Sequence, residues 1–215
     1  MLSISLYCDI LSRMDDPELI TKETYNRIAE QWAKEHNNVD YFQQEFEIFR
    51  SFLPKGKVLD VGCGAGRDYQ FFQGGQYDYT GVDYSSGLLG VAREQFPEAR
   101  FVEGNILDLP FQDQEFDGFW AAASLLHIPK DKMNKALQSI KRILKERGVG
   151  FIALEKGDGE QMVADDNHNQ DMRDQRFFSY WQNRNFRIYW IKPGLNSCNF
   201  WSIRSAREPH GLRFL

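Results

Sequence analysis

The chain has 215 residues, a formal net charge of −5 at pH 7, 42% hydrophobic content and 14% aromatic content. This length suits one large domain better than two, the aromatic share argues against a disordered chain, and the acidic balance argues against a nucleic-acid partner, which calls for a basic field. Cys8, Cys63 and Cys198 show no paired or metal-ligand spacing, and no run approaches the ~18 apolar residues of a membrane span, so a cytoplasmic protein with no structural metal and no membrane partner is expected.

In chain order, residues 1–24 read as an N-terminal extension and residues 25–182 as the main domain. Pro17 to Phe52 is predicted helical, with one apolar stripe at Tyr25, Ile28, Ala29 and Trp32 and a second at Phe42, Phe46 and Phe49. Pro54 and Gly56 end it, and Lys57 to Val61 forms a short apolar strand. A helix from Arg67 to Gln73 follows, then a strand at Tyr79 to Val82, a helix at Ser86 to Phe96 and a strand at Arg100 to Glu103. Phe116 to Ala123 is the fourth strand, Asp131 to Arg147 a helix closed by Gly148, and Val149 to Leu154 the fifth strand. Strands alternating with helices imply an α/β fold: a Rossmann-like, doubly wound, mostly parallel sheet behind N-terminal helices, with uncertain C-terminal edge strands. Beyond Glu155 the pattern weakens, because residues 157–176 are mostly polar.

The strongest chemical signal is Asp60-Val61-Gly62-Cys63-Gly64-Ala65-Gly66-Arg67, where a strand enters three glycines at alternate positions. Such glycines let the backbone turn sharply and approach a ligand that a Cβ would block. A dinucleotide fingerprint would need its third glycine at the position of Arg67, and Asp60 would repel a pyrophosphate while tolerating a ligand that carries an ammonium and a sulfonium. Asp83, at the end of strand two, can accept both hydroxyl hydrogens of a ribose diol, or can simply cap the next helix. A third segment, Gly104-Asn105-Ile106, follows strand three.

Together these serial motifs resemble those of class I S-adenosylmethionine-dependent methyltransferases, in particular small bacterial members with a Leu-Leu-His-Ile-Pro-Lys segment after strand four. The resemblance covers about Tyr25 to Trp181 and implies S-adenosyl-L-methionine as cofactor and methyl transfer to an acceptor, expected to be a small molecule. It implies that Asp60 and the backbone from Gly62 through Cys63 and Gly64 to Gly66 hold the methionine portion, that Asp83 holds the ribose and that Tyr84 lies against the adenine. It also implies that Asn105, where many members carry Asp, takes the adenine amino hydrogen on its carbonyl oxygen, and that the Ile106 amide meets a ring nitrogen. Two alternatives stand beside this reading, an NAD-dependent oxidoreductase and a protein that binds the cofactor without turnover.

The acceptor side is poorly specified. His127, at the end of strand four, is the first candidate for a catalytic base and Glu155 the second, although both also fit plain structural or solvated roles. The helix bearing Tyr25 and Trp32 either covers the cofactor or packs in the core. Residues 183–215 form an atypical tail with a net charge of +5 against −10 for the rest. That reversal suggests either a shifted reading frame that leaves the sheet edge incomplete, or a divergent ending in which Phe186 to Ile191 and Asn199 to Ile203 pair as strands. Oligomeric state is not legible.

Overall fold

A computed structural model describes residues 16–164, 174–182 and 187–190. Helix α1 (Pro17–Glu35) starts with Pro17 in its first turn and the Asp16 side chain accepting from the Glu18 amide at 3.0 Å. The helical region expected to reach Phe52 is broken after Glu35; a 3-10 turn at Val39–Phe42 leads into α2 (Gln43–Phe52). Asn38 causes the restart, since its side chain accepts from the Asp40 amide and caps the turn.

Next come β1 (Gly56–Val61), the short helix α3 (Tyr69–Phe72), β2 (Tyr77–Asp83), α4 (Ser86–Gln95), β3 (Arg100–Glu103) and β4 (Phe116–Ala122). Then α5 (Lys130–Ile143) runs directly into β5 (Leu144–Ala153). Gly148 therefore does not close the helix, as its position had suggested. Leu144 is buried and pairs with Phe116, and the ladder shifts register, with Arg147 in the left-handed region at φ +67°, before resuming at Gly118 with Val149.

The main sheet has the order β3-β2-β1-β4-β5, with a last strand, β8 (Arg187–Trp190), beside β5. The first five strands are parallel, and β8 lies antiparallel along β5, with Phe151 opposite Ile188. The Phe186 to Ile191 segment is thus a strand in its centre, paired with β5; Asn199 to Ile203 lies outside the described residues. Between β1 and β4 the strand order reverses, and an open α/β sheet leaves a crevice beyond the strand ends at that place.

Alternation along the strands sorts the core into two layers. Leu59, Val61, Phe119 and Ile152 face Met133, Ala136, Ile140 and Ile143 of α5. On the other face Val58, Trp120 and Phe151 meet Phe42, Phe46, Phe49 and Phe72. Trp120 is fully buried and stacks on Phe151 at 4.0 Å between ring centroids. Each such ring contributes roughly 1.5–3 kcal/mol relative to an exposed one.

Strands β6 (Glu160–Ala164) and β7 (Gln175–Ser179) form a separate antiparallel pair. Polar ties fasten it to α1: Thr24 Oγ1 donates to the Gln175 carbonyl at 2.7 Å, and the Phe177 amide donates to Thr21 Oγ1 at 2.9 Å. Asn26 secures α1 from the other side, its Oδ1 accepting from the Gly87 amide and from Ser85 Oγ at the start of α4. No helix among the described residues is long and apolar enough to cross a membrane.

Candidate active site

A cavity of about 580 Å³ opens at the reversal of strand order. Its floor is built by the residues that leave the carboxyl ends of the strands: Gly62 to Ala65 after β1, Asp83 to Ser85 after β2, Gly104 to Ile106 after β3 and Ala122 to Ser124 after β4. Helix α1 and strand β7 roof it with Tyr25, Trp32, Arg176 and Phe178. Its size suits one drug-sized ligand or more.

The loop after β1 is held mostly by its own chain. The Gly62 and Cys63 amides donate to the Val82 carbonyl at 2.7 and 3.1 Å, the Gly66 amide to the Cys63 carbonyl at 3.0 Å, and the Gly64 amide to Asp83 Oδ2 at 2.8 Å. Two glycines have different jobs. A Cβ on Gly62, at φ +72°, would lie 2.2 Å from Cβ of Ser124, whose hydroxyl donates to the Val61 carbonyl, so this glycine admits another loop. A Cβ on Gly64, at φ +54°, would meet nothing closer than Leu88 Cδ1 at 3.9 Å, so that position adjoins open space. Cys63 packs in the aromatic layer, where burial pushes its thiol well above the usual range.

Asp83 is fixed at both oxygens, Oδ2 by Gly64 and Oδ1 by the Ser85 amide at 2.8 Å. With a further backbone hydrogen bond from Tyr84, these contacts still leave part of the carboxylate's roughly four acceptor sites, which a ribose hydroxyl can use. Burial raises its carboxyl above the ordinary carboxylate range, against backbone hydrogen bonds from Ser85 and Gly64. Lys22 Nζ sits 4.2 Å from the Tyr84 ring centroid, and both residues line the cavity. Asn105 already accepts from the Leu107 amide at 2.8 Å on Oδ1, which fixes the orientation of its amide and leaves one lone pair on that oxygen. Ile106 lines the cavity next to it.

Asp60 is buried, and the Tyr79 hydroxyl donates to its Oδ2 at 2.7 Å. Burial first, and then the neighbouring Asp68, raise its carboxyl well above the usual range, while the Tyr79 bond pulls the other way. Sequence reasoning missed Arg67 and Asp68 as site residues. Asp68 is buried, receives the Trp120 Nε1 hydrogen at 2.8 Å and pairs with Arg67 Nε, and the Arg67 guanidinium lies 5.2 Å from the Phe42 ring centroid. Both residues line the cavity beside Asp60, giving that end two carboxylates and one cation. The available signal was Arg67-Asp68 next to the third glycine.

On the acceptor side His127 is bonded at both ring nitrogens, Nδ1 to the Phe177 carbonyl at 2.7 Å and Nε2 to the Tyr25 hydroxyl at 2.8 Å. Burial chiefly, with the nearby Arg176 charge, pushes its pKa down to about 4. Glu155 reaches the cavity rim but is exposed. Tyr25 and Trp32 face the cavity as well as each other, with ring centroids 5.2 Å apart.

Comparison with known proteins gives a consistent outcome. The profile of a family described as "Methyltransferase domain" matches residues 58–148. A demethylmenaquinone methyltransferase of Symbiobacterium thermophilum is 32% identical over 166 residues, covering 66% of this chain and 61% of that protein. A ubiquinone/menaquinone biosynthesis C-methyltransferase of Campylobacter jejuni is 30% identical over 112 residues, 47% of either chain. The chain therefore spans less than two thirds of these curated relatives. Among solved structures, the 1,6-didemethyltoxoflavin-N1-methyltransferase of Burkholderia thailandensis, with its substrate and S-adenosylhomocysteine bound, superposes with a TM-score of 0.59 at 19% identity, covering 84% of this chain and 74% of that one. A Methanosarcina mazei structure described as a SAM-dependent methyltransferase gives 0.55 at 19% identity over 62% and 77%. At such identities the likeness is one of fold.

Proposed function

We propose, from the match of residues 58–148 to the methyltransferase-domain family, that this chain transfers a methyl group from S-adenosyl-L-methionine to a small-molecule acceptor in the cytoplasm. The observation that carries the reading is the Gly64–Asp83 junction: a backbone position open to the cavity, bonded to a carboxylate that keeps spare lone pairs. The NAD-dependent alternative finds no support in the family matched.

The residues present fit this cofactor. Asp83 takes the ribose hydroxyls, Tyr84 lies against the adenine, and the Ile106 amide with the Asn105 oxygen meets the adenine edge. Asp60 and Asp68 face the positive charge of the sulfonium and ammonium, and Arg67 faces the methionine carboxylate. Bound there, the cofactor supplies an electrophilic methyl carbon. The protein then has to align the acceptor, exclude water and receive a proton where the acceptor carries one. The roof of α1 and β7 suits the first two tasks.

The test is calorimetric titration of Asp83→Ala with S-adenosylmethionine. Hydrogen bonds to a charged group contribute about 1.5–3 kcal/mol each, so affinity should fall by tenfold or more while circular dichroism stays native. Unchanged affinity would remove Asp83 from the site.

A further inference from the structure

We propose that Asn26 is a positioning residue that couples the cofactor to the roof of the cavity: it ties helix α1 to the turn that carries Asp83, so that cofactor binding and the seating of α1 are one event. The inference deepens the function proposed above and rests on it.

The directions of the hydrogen bonds at this joint are fixed. The Gly87 amide only donates, so the Asn26 atom that receives it at 2.9 Å is the side-chain oxygen. Ser85 Oγ accepts from the Leu88 amide at 3.1 Å and gives its one hydrogen to the same Asn26 oxygen at 2.8 Å. Ser85 is the N-cap of α4, and the first turn of a helix leaves amides that its own backbone cannot satisfy. One of them, that of Gly87, is thus capped from α1. If α1 lifts away, the Gly87 amide and the Ser85 hydroxyl have to turn to water.

The shape of the joint argues the same way. Gly87 lies within α4, so its backbone conformation does not call for glycine, but the packing does. A Cβ there would lie 2.8 Å from the backbone oxygen of Asn26 and 2.9 Å from its Cα. One turn earlier in α1, Lys22 Nζ sits 4.2 Å from the Tyr84 ring centroid and 3.2 Å from Glu103 Oε1. Helix α1 therefore grips Tyr84 and Ser85, the two residues that follow Asp83.

Asp83 joins the grip to the ligand, because its Oδ1 accepts from the Ser85 amide at 2.8 Å. A ribose held by this carboxylate and the helix held by Asn26 bear on the same short turn. Helix α1 also presents Lys22, Tyr25 and Trp32 to the cavity, contacts that a ligand can make only while α1 is seated. A ligand shifts an equilibrium by the difference in its affinity for the two states, and the seated state offers it more. From α1 the connection continues to the acceptor side, since Tyr25 is bonded to His127 and Thr21 and Thr24 are bonded to β7.

The test is amide hydrogen exchange read by mass spectrometry, with and without saturating S-adenosylhomocysteine, over residues 17–35, 62–66 and 83–88. In the wild type the ligand should slow exchange in all three segments, in α1 by about fivefold or more, the low end of coupling between sites. Asn26→Leu, close in size but without the oxygen, should keep the slowing at 62–66 and 83–88 and lose it in α1. Asn26→Asp keeps an oxygen at the joint and should behave as the wild type. Gly87→Ala should act like Asn26→Leu although alanine favours a helix more than glycine does, so a weakened α4 cannot be the cause. Coupling is reciprocal, so the two uncoupled variants should also bind S-adenosylhomocysteine more weakly, by a factor of similar size. No slowing of α1 in the wild type, slowing that survives in Asn26→Leu and Gly87→Ala, or slowing that is lost in Asn26→Asp would each overturn the inference. If Asn26→Leu does not fold, Gly87→Ala and Asn26→Asp decide by the same readings. A wild type that fails to bind S-adenosylhomocysteine would instead overturn the functional reading beneath it.

Discussion

His127 provides a sharp test of the site's electrostatics. The folded chain keeps its ring neutral down to about pH 4, whereas an unfolded chain protonates it near 6.5. Above pH 6.5 neither state binds the proton, and stability is unaffected. As pH falls through that window the unfolded state gains a proton that the folded state refuses, so stability is lost, by roughly 3 kcal/mol in all at ~1.4 kcal/mol per pH decade. Asp60 and Asp83, whose carboxyls are raised, take up protons in the folded state first and act in the opposite sense. Subtracting the profile of His127→Gln removes their contribution, because glutamine can still donate to the Phe177 carbonyl and accept from Tyr25. Urea denaturation followed by circular dichroism from pH 7.5 to 4 should find the wild type losing about 3 kcal/mol relative to the variant, nearly all of it below pH 6.5. Parallel profiles, or a His127 proton resonance titrating near 6.5, would refute the picture of a desolvated, doubly bonded imidazole beside Arg176.

Three further outcomes are expected. Gly62→Ala should impair folding, because its Cβ would be 2.2 Å from that of Ser124, whereas Gly64→Val should fold less stably yet recognisably and lose cofactor binding; normal binding by a folded Gly64→Val would make the loop a mere turn. S-adenosylmethionine should expel a proton held at Asp60, so its apparent binding enthalpy should differ between buffers of high and low ionisation enthalpy; identical values would mean that Asp60 is already ionised. For the tail, translating the encoding DNA in its other frames from codon 182 should uncover an acidic amphipathic segment if the frame has shifted, and its absence would end that idea.

The parallel sheet and the residues that floor the cavity were legible because they are local. Each glycine, carboxylate and amide involved lies within a few residues of a strand end, and a short apolar strand running into Gly62-Cys63-Gly64 announces its own geometry. The roof was not legible in the same way. Tyr25 and Trp32 repeat at helical spacing, which a core-facing stripe does equally well, and only the fold sets them over a cavity. Arg176 lies beside a polar stretch without clear alternation, so neither its strand nor its approach to Trp32 could be read. The end of α5 was misread because Gly148 looks like a cap, while the deciding contact, Leu144 with Phe116, is distant in sequence. Asp68 escaped notice because its partner, Trp120, is likewise remote.

The cavity is divided along the chain as well as in space. Its floor comes from residues 58–148, the segment that the methyltransferase-domain profile matches, while Tyr25 and Trp32 precede that segment and Arg176 and Phe178 follow it. On the function proposed above, the floor that would hold the donor and, His127 apart, the roof that would face the acceptor come from separate stretches of the chain. On that reading, a chimera that exchanges α1 together with β6 and β7 for those of a relative should leave the loops after β1, β3 and β4 in place and change the acceptor that is methylated. The two exchanged pieces must travel as a pair, since Thr21 and Thr24 bind one to the other.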